Sequence, residues 1–427
     1  MRPQTRFLGA VAAVLVATAC RDLTTLEQLN PAALSSATVY TPTNAQLFTN
    51  GAIADFECAF SRYVVGSGIL MDELSNSFAS GSNYDYDARR NPTNAAYGTA
   101  SCGSGLQQAP IYTTLSVARR ATDTAVARLK EFSDASMPTG VNRSKLIGQA
   151  YAYAGYSIIL LGEGMCSAAI NVGPELTPAQ LFAEAKTRFD SAIVYAGTAS
   201  DPTTVNFATL GRARTLLDLG DAAGAAVDAA KIPSGFVVNQ SADATNTRRQ
   251  NSVFVSLNQN GYATVDPSFR NLTINGAADS RVAVTNTGKP GTATGTQLWT
   301  VDKYPLASSV IPVARYAEAQ LIVAEAKVAA NDLAAAAAAI NAARATHPGL
   351  PTFSATGLTA ADVKNQIIEE RRRELYLEGH RLGDIRRYNV PLSPTPGTAY
   401  PFGGVYGTQS CFPLPDVEKI NNPNITK

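Results

Sequence analysis

Tryptophan and histidine are scarce in this sequence, with one Trp and two His among 427 residues. The cysteines include no CxxC pair, and no HExxH sequence, Gly-rich phosphate loop or Ser-centred nucleophile elbow is present. Zinc sites and the common hydrolase and nucleotide-binding sites depend on such motifs. We therefore predict no metal site, no cofactor and no enzymatic activity.

An excess of charge of either sign is also missing. The chain has 35 basic and 34 acidic residues, a formal net charge of +1. A nucleic-acid-binding surface is expected to bring a basic excess. The composition therefore argues against a nucleic-acid partner.

The sequence has no hydrophobic run long enough to cross a bilayer, which needs about 20 residues. An apolar run from Phe7 to Ala19 follows Arg2 and Arg6 and ends in Ala-Thr-Ala-Cys. This pattern is typical of a lipoprotein signal peptide over residues 1–19, with Cys20 as the lipidated N-terminus of the mature chain. The alternative is an ordinary secretory signal followed by an incidental cysteine.

Four cysteines remain in the mature chain: Cys58, Cys102, Cys166 and Cys411. An even number outside the cytosol is typical of two disulfides. The sequence leaves three pairings open, of which we favour Cys58–Cys102 with Cys166–Cys411.

Apolar residues at three- and four-residue spacing predict a mainly α-helical fold after a tether over residues 20–42. We expect one domain over residues 43–427, with helical repeats at about 107–230 and 311–390. Helical pairs punctuated by Gly-Asp or Asn-Asp resemble degenerate tetratricopeptide hairpins, and about four pairs are expected. They cover residues 142–161 with 177–197, 203–219 with 221–230, 314–330 with 333–345, and 359–379 with 382–388.

Two regions lack this periodicity, at about 72–105 and 232–310. The second carries short β-prone runs, at residues 237–238, 253–257, 272–274 and 282–284, separated by Asn, Gly and Asp. We predict an irregular subdomain with a few short strands. Long segments of this kind inside a structured domain are commonly functional.

Residues 371–388 are dense in arginine and acid, yet apolar residues recur among them. This segment resembles the C-terminal signature of the SusD/RagB family of nutrient-binding outer-membrane lipoproteins. Further passages in the family's order resemble it too: Leu70–Glu73, Ile111–Arg119, Lys303–Pro305, Ile311–Glu318, Ala324–Ala326, Asn331–Arg344, Phe412–Pro415 and Asn422–Asn424. The lipoprotein signal fits the same family.

The resemblance implies a surface-exposed outer-membrane lipoprotein that binds a nutrient, a glycan or another oligomer such as a peptide. It also implies delivery of that ligand to a SusC-like TonB-dependent transporter, with the helical repeats facing the transporter and the variable loops carrying the ligand. Sugar faces stack on aromatic rings. We therefore expect Tyr84, Tyr86 and Trp299 to form the ligand site, which requires the two loop regions to meet.

Two other functions remain open. Loop carboxylates such as Asp72 and Glu73 could serve an extracytoplasmic glycosidase, and tetratricopeptide-like surfaces commonly act as protein-binding scaffolds. Glu370, Glu374 and Glu378 share one helical face, but arginines surround them. We expect these three acids to be ion-paired and structural, because a general acid needs a raised pKa.

Overall fold

The computed structural model describes residues 36–79, 83–293 and 295–425. Helices account for most of this part of the chain and all strands are short, which confirms the mainly α-helical prediction. The predicted signal peptide, the anchor Cys20 and the tether as far as residue 35 lie outside the described residues. The rest of the tether forms helical turns, at Ser36–Val39 and Pro42–Asn44.

The helices are α1 (Ser36–Val39), α2 (Ala45–Leu70), α3 (Asn83–Asp87), α4 (Tyr112–Glu131), α5 (Arg143–Gly164), α6 (Pro178–Thr198), α7 (Pro202–Asp218), α8 (Ala222–Ala229), α9 (Tyr316–Ala329), α10 (Leu333–Arg344), α11 (Ala360–Glu374), α12 (Arg381–Tyr388) and α13 (Asp416–Asn421). Consecutive helices pack together as α5 with α6, α7 with α8, α9 with α10 and α11 with α12. These are the four predicted pairs.

The strands are β1 (Leu74–Asn76), β2 (Ala168–Ala169), β3 (Glu175–Leu176), β4 (Val237–Gln240), β5 (Ala263–Val265), β6 (Thr273–Ile274), β7 (Ala277–Ala278), β8 (Val284–Pro290), β9 (Gln297–Val301) and β10 (Ile311–Arg315). They form two-stranded antiparallel ribbons, β1 with β5, β2 with β3, β4 with β10, β6 with β7 and β8 with β9.

Side-chain caps set where several helices begin. Thr177 and Gln180 form a reciprocal capping box at the start of α6, and Pro178 occupies the first turn. Thr359 and Asp362 form the same box on α11. Such caps satisfy backbone N–H groups that have no partner within the helix, and the predicted helix start at residues 177–179 is confirmed.

Glycines let the repeat helices approach closely around one aromatic cluster. The Tyr156 ring on α5 stacks on Phe207 of α7, with centroids 4.3 Å apart, and meets Phe189 of α6 edge-on at 5.1 Å. A Cβ at Gly155 or Gly211 would overlap the Phe189 ring. The core of the repeats therefore depends on the absence of side chains at these two positions.

The last long helix is shorter than predicted. We expected it to run to residue 379, but α11 ends at Glu374 and the chain turns through Leu377 and Gly379, which have φ values of 53° and 78°. The turn is held by distant groups: the Glu73 carboxylate accepts from Leu377 N at 2.8 Å, and the Tyr304 hydroxyl donates to Leu377 O at 3.1 Å. The spacing of apolar residues along the sequence gives no information about these distant partners, so it could not predict where the helix ends.

Two other boundaries also differ from the prediction. Residues 253–257, expected as a strand, lie in a helical segment that includes a π-helix at Phe254–Gln259. The Asn251 side chain accepts from Phe254 N at 3.0 Å and so caps this turn. Residues 314–315, expected to be helical, belong to β10, because this segment pairs with β4.

Both disulfides join the cysteines in the pairing that we favoured. Cys58 of α2 is bonded to Cys102 of the first variable region. Cys166, just after α5, is bonded to Cys411 near the C-terminus. The crosslinks therefore fasten one variable loop and the C-terminal segment to the helical framework.

Candidate ligand-binding site

A cleft of about 670 Å³ opens where three chain segments meet. Ser75, Asn76 and Asp87 come from the first variable region, and residues 264–270 and 295–297 come from the second. The third wall is a C-terminal loop over residues 393–406, including Phe402 and Tyr406. The expected meeting of the two variable regions therefore occurs, and a third segment completes the cavity.

Backbone pairing fixes the first two walls. In the β1–β5 ribbon, Ser75 lies opposite Thr264. The Thr264 hydroxyl accepts from Trp299 N at 2.8 Å and donates to Gln297 O at 2.9 Å, which joins β5 to β9. The cleft floor is thus built from short ribbons linked by one threonine side chain.

Arginine and tyrosine side chains hold the C-terminal loop in place. Arg89, at a φ of 53°, donates to the carbonyls of Ser393 (3.2 Å) and Pro394, and its guanidinium lies 5.0 Å from the centre of the Tyr406 ring. The Tyr84 hydroxyl donates to Phe402 O at 2.9 Å. These contacts fix the backbone and rings that form the third wall.

The cleft combines apolar rings with polar groups. Burial raises the pKa of the Asp87 carboxyl to about 7, against the hydrogen bonds that it accepts from Asn76 N and the Tyr400 hydroxyl, both at 3.0 Å. Burial also raises the pKa of Asp266, which accepts from the Ser75 hydroxyl at 2.7 Å. Rings beside carboxyl, hydroxyl and guanidinium groups suit a polyhydroxylated ligand.

The three aromatic residues predicted to bind ligand occupy different environments. Tyr84 is half-buried, and its ring meets Tyr400 edge-on, with centroids 5.0 Å apart. Trp299 is partly exposed on β9, with the Arg270 guanidinium 5.3 Å from its centre. Tyr84 and Trp299 therefore contact cleft-lining residues, Phe402 and Arg270, but do not themselves line the cavity.

The structure does not support the prediction that Tyr86 contacts the ligand. Its side chain is completely buried, its hydroxyl donates to Ala109 O at 2.8 Å, and its ring lies 5.0 Å from that of Phe412. A ligand at the surface cannot reach it. The alternating Tyr-Asp-Tyr-Asp pattern folds as α3, which turns Tyr86 into the core.

Phe402 and Tyr406 were missed by the sequence analysis. Both belong to Tyr-Pro-Phe-Gly-Gly-Val-Tyr at residues 400–406, a cluster of aromatic residues in a Gly- and Pro-containing stretch. That composition indicates an exposed aromatic loop, but it lies outside the two regions predicted to be variable.

The acids considered for glycoside hydrolysis have structural partners. Asp72 forms a two-point ion pair with Arg381, with N···O distances of 2.6 and 2.5 Å. Glu73 is 1% exposed and accepts from Leu377 N. Neither side chain lines the cleft.

Glu370, Glu374 and Glu378 are buried and ion-paired, as expected. Arg281 pairs with Glu370 at 2.6 Å, and Arg315 bridges Glu374 and Glu378 at 2.6 and 2.8 Å. Although burial opposes ionisation, the hydrogen bond from His347 and the charge of Arg315 hold the pKa of Glu374 at about 2. These carboxylates connect α11 and the turn after it to β10 and the second variable region.

A family model described as the SusD family matches residues 176–422, more than half of the chain. The chain belongs to the SusD family. The resemblance recognised in the sequence is therefore confirmed, and the fold and cleft described above are those of a SusD-family protein. No curated protein matches the chain.

Solved structures with the same fold include carbohydrate-binding relatives. A SusD-like carbohydrate-binding protein from Bacteroides vulgatus has a TM-score of 0.66 and 18% identity, covering 90% of this chain and 96% of its own. A SusD superfamily protein from Bacteroides fragilis has a TM-score of 0.66 and 16% identity, covering 91% and 99%.

Surface glycan-binding protein A from Bacteroides thetaiotaomicron, in complex with laminarihexaose, has a TM-score of 0.66 and 13% identity, covering 89% and 97%. At such identities the likeness establishes the shared fold.

Over the residues described for this SusD-family chain, no helix has both the length and the hydrophobicity of a membrane span.

Proposed function

We propose that this protein binds a glycan in the cleft between its two variable regions and the C-terminal loop. The observation that carries the proposal is the wall formed by Phe402 and Tyr406, which places partly exposed rings beside Asp87, Asp266 and Arg270. Rings can stack on the C–H faces of sugars while the polar groups bind hydroxyls. The laminarihexaose complex of a relative supports the ligand class.

We further propose that Cys20 carries lipid that anchors the protein to the outer membrane, facing the cell exterior. Membership of the SusD family supports delivery of the glycan to a SusC-like TonB-dependent transporter through the helical repeats. Under this proposal the protein passes its ligand on without cleaving it. The structural engagement of Asp72 and Glu73 supports binding without turnover.

Calorimetric titration with a panel of neutral oligosaccharides tests the proposal. For a glycan that binds, Phe402→Ala should remove about 1 kcal/mol of stacking, roughly a fivefold rise in Kd. Val405→Ala is the matched control, because Val405 lies in the same loop, is 46% exposed and does not line the cleft. Equal Kd values for Phe402→Ala and the wild type would remove the cleft from the proposal.

Under this proposal, Trp299 and Tyr84 do not touch the glycan but position residues that do, Arg270 and Phe402 respectively. Trp299→Ala should weaken binding because Arg270 loses the ring beneath it. An unchanged Kd across every responding glycan would exclude Trp299 from the site.

Two further experiments test the rest of the proposal. New reducing ends after incubation with glycans would contradict the absence of turnover. Co-purification with a large β-barrel protein would support the transporter partnership.

A further inference from the structure

Arg62 is a buried cation with no acidic partner in the part of the chain that the structure describes. It lies on α2, is 5% exposed and forms no ion pair with any described residue. Its Nη2 donates to Cys102 O at 3.1 Å, while its buried Nε has no hydrogen-bond partner. A buried charge is costly unless it is paired and hydrogen-bonded.

Most other buried arginines among the described residues are paired with acids. Their ion pairs include Arg214 with Glu163, Arg281 with Asp279, Arg344 with Glu370 and Arg371 with Asp384. The exception is Arg89, which is 2% exposed and donates to the carbonyls of Ser393 and Pro394 beside the Tyr406 ring. The fold therefore supplies a carboxylate to most of the buried guanidinium groups that hold it together, and two carbonyls and a ring to Arg89. Arg62 differs because the described residues give its guanidinium one carbonyl and no carboxylate.

Arg62 lines a second pocket, of about 320 Å³, outside the cleft. One wall is residues 102–107, fastened to α2 by the Cys58–Cys102 disulfide. The other includes Gln250, Gln259 and Tyr262 from the second variable region. The described lining residues supply amides and hydroxyls and include no acid.

The pocket favours an anion electrostatically. Burial, and after it the charge of Arg248, lowers the pKa of the Arg62 guanidinium to about 10, so it stays charged at neutral pH. The Arg248 side chain is 53% exposed and is paired with Asp55 at 2.6 Å, whereas Arg62 is buried. Guanidinium groups bind oxyanions strongly through charge-assisted hydrogen bonds.

We propose that this pocket binds the oxyanion of an acidic saccharide, a uronate carboxylate or a sugar sulfate, with Arg62 as its counter-ion. The amide and hydroxyl groups of the walls would bind the hydroxyls of the same sugar. The saccharide part rests on the proposed function, whereas the requirement for an anion rests on Arg62. The pocket lies next to the cleft along the chain, since Tyr262, directly before β5, lines the pocket and Thr264 of β5 lines the cleft.

Calorimetric titration of the full chain with glucuronate, glucose 6-sulfate, glucose, acetate and inorganic sulfate tests this. At least one acidic sugar should bind, and more tightly than glucose. Arg62→Met should raise its Kd at least tenfold, as expected for the loss of a hydrogen bond to a charged group. Arg248→Gln is the control for a nearby exposed charge and should change Kd less than threefold.

Arg62→Met replaces a buried charge by an apolar side chain of similar length, a change that proteins often tolerate. If it fails to fold, Ser104→Asp tests the same idea from the loop wall. Ser104 is half-buried and its hydroxyl accepts from Ser101 N at 3.1 Å, a bond that a carboxylate can also accept. The added negative charge should weaken binding of the acidic sugar about tenfold.

The inference is overturned if both acidic sugars bind no better than glucose, or if Arg62→Met binds them as well as the wild type does. Equal affinity for acetate or inorganic sulfate would overturn the saccharide assignment. Titration with neutral oligosaccharides separates a failure of this inference from a failure of the proposed function. If the proposed function holds, Phe402→Ala should weaken binding of neutral oligosaccharides and Arg62→Met should leave it unchanged, whatever the acidic sugars do.

Discussion

Glu73→Gln should change how stability depends on pH. Glu73 is 1% exposed. Among the described residues, its carboxylate accepts one hydrogen bond, by Oε1 from Leu377 N, which leaves buried Oε2 without a partner. Burial, against the effect of that hydrogen bond, raises the pKa of this carboxyl to about 8. The unfolded chain has a glutamate pKa of about 4.3.

The sign follows from proton uptake. Because the pKa is higher in the folded state, folding favours the protonated form, and this contribution is fully present only below the unfolded pKa. It is lost as pH rises through about 8. Each difference of one in pKa is worth about 1.4 kcal/mol, so ionisation of Glu73 should cost roughly 4 kcal/mol between pH 5 and pH 9.

Urea unfolding at pH 5, 7 and 9, followed by circular dichroism with the disulfides intact, measures this directly. The wild type should lose more stability than Glu73→Gln between pH 5 and pH 9, by roughly 4 kcal/mol. Glu131→Gln is the control, since Glu131 is exposed and paired with Arg128. Parallel pH profiles for the wild type and Glu73→Gln would refute the argument from burial.

Three further changes test the packing and the anchor. Tyr86→Phe should cost about 1 kcal/mol in urea unfolding, because a buried carbonyl loses its donor, and should leave glycan affinity unchanged. A weaker glycan affinity would place Tyr86 back in the site. Gly211→Ala should cost about 1–3 kcal/mol in the same assay, since its Cβ would overlap Phe189. At Gly197, where a Cβ meets nothing within 4 Å, the same change should be neutral or stabilising, and equal losses would contradict the packing argument. Cys20→Ala should move the protein from the membrane pellet to the soluble fraction, and retention in the pellet would contradict the anchor.

Local information was enough to predict most helices. The start of α6 depends on Thr177 and Gln180, which are only three residues apart in sequence. The repeat pairs follow from the helical spacing of apolar residues. The turn after Glu374 could not be predicted in this way. Its positive φ at Leu377 is stabilised by Glu73, from the other end of the chain.

The site was harder to predict for the same physical reason. Tyr84 and Tyr86 are two residues apart and chemically alike, yet only Tyr86 is buried, because Phe412 and Ala109 pack around it. The cleft wall at Phe402 depends on contacts from Tyr84 that span most of the sequence. Composition could indicate exposed aromatic loops but could not show which of their rings face solvent.

The bond between Cys166 and Cys411 closes a covalent ring that contains the second variable region, three of the four helix pairs in whole, and α6 of the remaining pair. A single proteolytic cut anywhere inside that ring leaves both fragments joined. For a protein proposed to work outside the cell, a nick in an exposed loop therefore need not release either half. The β5 wall of the cleft and the segment bearing Phe402 both lie within the ring, so they would remain on one covalent assembly.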